Sequence, residues 1–150
     1  MTTWDAPWVQ PGEAPTQIEG NLWIGAFPQP WVRRQFDYIV SVVDAKFFPE
    51  KPGQIHVCMP FEDSPDVKPV YFHAIADLAH RFVQDRPTLV HCQHGYNRSG
   101  VIVALTLLRM GWEPERAVNH IREKRGASAL SNYHFRNWIL SSALRALADS

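Results

Sequence analysis

Apolar positions along the chain change period twice, and each change marks a new kind of element. Residues 21–27 (NLWIGAF), 36–44 (FDYIVSVVD) and 54–61 (QIHVCMPF) are dense in β-branched and aromatic side chains. Gly, Pro and Asp bound them, so they predict three strands. The turn-forming EDSPD closes the third. From Pro69 the spacing lengthens. Tyr71, Ile75, Leu78 and Phe82 recur three to four positions apart, with His73, Asp77, Arg81 and Gln84 between them. That pattern predicts an amphipathic helix opened by a proline. TLVH at 88–91 predicts a short apolar strand, and VIVALTLLRM at 101–110 is apolar on all sides. The latter predicts a helix buried through the middle of the domain and ended by Gly111. A helix from about 114 to 124 follows, ending near Gly126, and a last one carries Phe135, Trp138, Ile139 and Ser142 at helical spacing. Pro7, Pro11, Gly12 and Pro15 make residues 1–16 an irregular lead-in, leaving 17–150 as one folded domain. The expected class is α/β: a central mixed, largely parallel sheet flanked by helices, with the strand–loop–helix unit at 88–110 as its centre.

Composition narrows the partners more than the fold. A chain of 150 residues suits a single domain with one sizeable core. The formal net charge is zero, so no global positive field recruits nucleic acid or an anionic membrane surface. The opening residues have neither a basic nor an apolar region of the kind a signal peptide needs. No apolar run approaches the roughly 18 residues of a membrane span. Two cysteines are too few for a disulfide scaffold and fit a reducing cytoplasm, with Cys92 a free thiol.

The chemistry concentrates in HCQHGYNRSG, residues 91–100, between the apolar strand and the buried helix. Backbone N–H groups at a helix N-terminus lack partners, and with the helix dipole they form an anion site. Gly95 permits the curvature that turns successive N–H groups inward as a concave nest. Arg98 adds a planar fork able to hold two phosphate oxygens, which lysine cannot do. Cys92 faces the same concavity, where dipole and arginine favour its thiolate. A thiolate aimed at a bound phosphate is a nucleophile for phosphoryl transfer, and the nest with Arg98 stabilises the oxygens without a metal.

These residues resemble the signature of the cysteine-dependent protein tyrosine phosphatase superfamily: His-Cys, five residues, Arg, then Ser or Thr. From IEGNLWIGAF through IHVCMPFED to IREKRGASALSNYHF the chain is similar to its compact dual-specificity branch, over most of residues 18–140. The resemblance implies a single dual-specificity phosphatase-like catalytic domain with no cofactor and no metal. It also implies phosphomonoester hydrolysis through a phosphocysteine, with Cys92 as nucleophile and Arg98 as phosphate clamp. Ser99 would donate a hydrogen bond to the sulfur, and His91 would orient the cysteine. Gln93, His94, Gly95, Tyr96 and Asn97 would supply N–H groups to the substrate. The acid for the leaving oxygen would come from FEDSPD, with Asp63 at the matching position and Asp66 as the fallback. Asn132 matches a polar residue that braces the signature loop. The expected partner is a phosphorylated protein or peptide met by a cytoplasmic monomer, with no stable nucleic-acid partner and no membrane.

Two rival substrates stay open. His94 and Asn97 are similar to the loop of RNA 5′-triphosphatases, although those enzymes generally do without the aspartate. PFED resembles the phosphoinositide branch, which uses signature-loop lysines that this loop lacks; a small-molecule phosphate ester is a further alternative. Cys58 reads as a core strand residue, with a redox partner of Cys92 as the alternative.

Overall fold

The computed structural model of the chain describes residues 13–143. Residues 1–12, including Pro7, Pro11 and Gly12 of the expected lead-in, lie outside the described residues. Five short strands form one sheet: β1 (Thr16–Glu19), β2 (Leu22–Gly25), β3 (Tyr38–Ser41), β4 (Ile55–Cys58) and β5 (Thr88–His91), in the order β1-β2-β5-β3-β4. β1 runs antiparallel to β2, and every other pairing is parallel. The mixed, largely parallel α/β sheet expected from the pattern is therefore present. β5 is central and all four of its residues are buried, as a parallel strand covered on both faces must be.

Alternation along the strands divides the core. Leu22, Ile24, Val40 and Val90 face the larger core, whereas Ile39 and Leu89 face a smaller one with Val32 and Phe36, packed by Trp23, Trp31 and Phe47. The larger core is closed by α2 (Pro69–Val83), α3 (Arg98–Arg109) and α4 (Pro114–Arg125). α5 (Tyr133–Trp138) runs on into a π-helical turn, Ile139–Ala143. α3 is buried from Ser99 to Leu108, in agreement with its apolar character on all sides. Among the described residues no helix is long and apolar enough to cross a membrane.

Three details depart from the periodicity. Thr16 opens β1, so the irregular lead-in stops short of it. A single turn of helix, α1 (Pro30–Arg33), follows β2, begun by a proline at its first position. α3 begins at Arg98 rather than Val101, which places Arg98 and Ser99 in its first turn.

Candidate active site

Residues 92–97 curve from the end of β5 to the start of α3, around the Cys92 sulfur. Cys92 Sγ lies 3.2 Å from Ser99 Oγ and accepts the Gly95 N–H at 3.3 Å. Burial pushes the thiol pKa up, but the Ser99 hydroxyl and the N–H groups of Ser99, Gly95 and Tyr96 outweigh it. The thiol ends below the ordinary cysteine value. Gly95 has φ +79°, and a Cβ there would meet the Gly25 carbonyl carbon at 2.5 Å. Only glycine fits. Arg98 is half-buried at the first position of α3, and among the described residues no carboxylate pairs with it.

His91 is held from both sides. Its Nδ1 is 3.0 Å from the Cys92 carbonyl, and its Nε2 is 2.5 Å from Ser41 Oγ, which is itself 2.7 Å from His56 Nε2. One proton assignment satisfies all three: Nδ1–H donates to Cys92, Ser41 donates to Nε2, and Ser41 accepts from His56. Phe27 and Phe47 cover the imidazole, and burial lowers its pKa to about 4. At neutral pH His91 is an uncharged donor. Its bond is to the cysteine's own carbonyl.

The acidic loop reaches this site through Asn132. Asp63 Oδ1 accepts from Asn132 Nδ2, and the Asn132 main-chain N–H donates to Asn97 Oδ1 at 2.6 Å. Asn132 Oδ1 in turn caps α5, accepting from the N–H groups of His134 and Phe135. The brace expected of Asn132 thus passes through its main chain, and its side chain holds Asp63. Asp66 lies farther along the same loop, exposed and bonded within it to Ser64. Phe61, wedged between Phe72 and Phe135, anchors the loop's first residue in the core.

The remaining expected residues are displayed differently. The side chains of Gln93 and His94 are exposed. The Gln93 carbonyl accepts the Phe27 N–H at 3.1 Å and the Tyr96 carbonyl that of Leu130 at 3.0 Å. Leu130 has φ 54°, a left-handed backbone held by its buried side chain, and a Cβ at Gly100 would come within 3.0 Å of that side chain. Asn97 donates to Ser131 at 3.3 Å as well as accepting from Asn132, so the residue that set this loop apart serves as a tie between loops.

Cys58 stands away from the site and, against the expectation of a core residue, is exposed, because it ends the edge strand β4. Its S–H donates to the Val43 carbonyl at 3.3 Å, and both cysteines are free thiols. Ser41 lies opposite both Cys58 and His91, so Cys58 lies two strands away from the residue that precedes Cys92.

Sequence reasoning missed Arg125, Ser41 and His56. Arg125 is bonded to the carbonyls of His94, at 3.1 Å, and Gly95, at 3.2 Å. A basic residue in a helix's last turn reads as dipole complementation, so nothing in the sequence distinguishes it. Ser41 did carry a signal: it is the one polar residue in the apolar run IVSVV.

Residues 26–143 match the family described as Dual specificity phosphatase, catalytic domain. The chain is 27% identical over 114 residues to Protein phosphatase Slingshot homolog 3 of Mus musculus, covering 71% of this chain and 17% of that protein. It is 30% identical over 101 residues to Tyrosine-protein phosphatase yvh1 of Schizosaccharomyces pombe, covering 65% of this chain and 31% of that protein. It thus spans less than a third of either relative. The crystal structure of human DUSP28 superposes with a TM-score of 0.75 at 19% identity, covering 90% of this chain and 99% of that one. That likeness extends the agreement to the fold.

Proposed function

The chain belongs to the family of dual specificity phosphatase catalytic domains, and from that membership we propose that it hydrolyses phosphomonoesters on proteins, phosphotyrosine foremost, through a phosphocysteine. The observation that carries this is the buried Cys92 sulfur, 3.2 Å from Ser99 Oγ, in a loop whose N–H groups turn toward it. The thiolate attacks phosphorus, the P–S bond forms as the P–O bond breaks, and Asp63 gives its proton to the leaving oxygen. Water then attacks the phosphocysteine, Asp63 takes its proton, and the sulfur leaves as a thiolate held by the Ser99 hydroxyl. Arg98 and the loop N–H groups hold the equatorial oxygens throughout. The backbone of Gln93 to Asn97 lines the oxyanion, and Asn132 keeps Asp63 over it. The triphosphatase reading loses its support, because the Asn97 side chain is engaged by Asn132 and Ser131. The free thiols suit a reducing cytoplasm. We take the domain to act as a monomer.

The test is Cys92→Ser, assayed on phosphotyrosine and phosphoserine peptides, triphosphate-ended RNA and soluble inositol phosphates. The parent should release phosphate fastest from phosphotyrosine peptide. The variant should lose turnover yet still bind vanadate, because the N–H nest and Arg98 persist. Turnover within about tenfold of the parent would refute Cys92 as the nucleophile.

A further inference from the structure

We propose that Arg125 is a positioning residue for this reaction: its guanidinium holds two carbonyls of the cysteine loop outward, so that the N–H groups of the same peptide units face the Cys92 sulfur. The inference rests on the phosphatase reading for its chemistry and on separate geometry for its cause.

In a trans peptide unit the C=O and N–H point in opposite directions. None of the described peptide bonds is cis. Arg125 Nη2 donates to the His94 carbonyl at 3.1 Å and Nε to the Gly95 carbonyl at 3.2 Å. The partner N–H groups of those two units belong to Gly95 and Tyr96. Gly95 N–H meets Cys92 Sγ at 3.3 Å, and the Tyr96 N–H also stabilises the thiolate.

The guanidinium is fixed from its other edge as well. Nη1 donates to the Ala14 carbonyl at 2.8 Å and to Thr16 Oγ1 at 3.1 Å, and the Arg125 carbon sits 5.5 Å over the Tyr96 ring. Donors in a rigid plane therefore join the entry to β1, the cysteine loop and α4. The guanidinium sits close against the loop backbone, since a Cβ on Gly95 would lie 2.7 Å from Arg125 Nη2. Arg122, one turn earlier and also half-buried, shows what an ordinary basic residue does here: its Nη2 bonds locally, to the Ala127 carbonyl. Lysine could supply the charge of Arg125 but not the fork.

The experiment compares Arg125→Gln, Arg125→Lys and the control Arg122→Gln. The pH dependence of Cys92 alkylation by iodoacetamide gives the thiol midpoint, and vanadate binding gives anion affinity. Both Arg125 variants should titrate about one pH unit or more above the parent and bind vanadate about tenfold more weakly. Gln should be worse than Lys, and Arg122→Gln should match the parent. The other titratable groups about the sulfur, His91 on β5, His94 and Tyr96 in the loop, Arg98 on α3 and Asp63, are common to all variants. A shift therefore belongs to Arg125. If Arg125→Gln does not fold, Arg125→Lys carries the same prediction. A folded Arg125 variant with the parent's titration and vanadate affinity would overturn the proposal. Should the parent hydrolyse no phosphomonoester, the catalytic reading fails, while titration and anion binding still decide the role of Arg125.

Discussion

Asp63 and Asp66 sit in one exposed loop, yet the structure treats them differently. Asp63 is bonded to Asn132, which is bonded to Asn97 in the cysteine loop, whereas Asp66 turns back to Ser64. A general acid counts most when the leaving group is basic, by about 10²–10⁴-fold. Asp63→Asn should therefore lose most of its rate on phosphotyrosine and alkyl phosphates, and much less on an aryl phosphate whose phenol is already acidic. Asp66→Asn should follow the parent in both assays, and leaving-group series on the two variants would reveal a reversed assignment. At this scale, legibility tracked contiguity. Cys92, Arg98 and Ser99 share one short stretch, so their spacing carried the chemistry. Arg125 and His56 reach the site only by folding, and no local pattern marks them.

Among the elements, α3 is built against the usual rule for its own end. Its first residue is Arg98, its first turn holds no acidic residue, and Asn97 offers no side-chain cap. A helix N-terminus ordinarily favours negative charge. An added cation there repels the dipole until an anion arrives. Phosphate or tungstate should therefore stabilise the folded state. At a hundredfold excess over Kd the gain is about 2.7 kcal/mol, or several degrees in Tm for a domain of this size. Thermal melts in phosphate and in chloride at matched ionic strength would show it, and Arg98→Ala should lose most of the difference. The long elements were legible because α2 repeats its pattern over about four turns and α3 is apolar on all sides. β1 and α1 span four residues each, too few for a period to declare itself. The start of α3 was hidden for another reason. NRSG reads as a turn, whereas Gly100 is helical there and leaves room for Leu130.

For the molecule as a whole, acid sensitivity has an identifiable source. His91 has a pKa of about 4 when folded, against an ordinary value near 6.5, so the unfolded chain binds the extra proton first. Its contribution is fully present above about pH 6.5 and is lost progressively as the pH falls toward 4. The loss amounts to roughly 3 kcal/mol. Urea unfolding at pH 7.5 and pH 5 should differ by the part of that loss reached at pH 5, about 2 kcal/mol, and His91→Gln should narrow the gap. No reading of residue types alone would have found this value, because it arises from the burial of one imidazole between Ser41, Phe27 and Phe47.

The loop's outer supports have one more property: Arg125, Leu130 and Asn132 all follow it in the chain, the first and last pairing with residues 30 and 35 positions earlier. During synthesis Cys92 emerges from the ribosome well before them. Until residues up to Asn132 have also emerged, the carbonyls of His94, Gly95 and Tyr96 lack the partners that hold them outward, and only that of Gln93 has its own, Phe27. The loop is fully braced only once those later residues are in place.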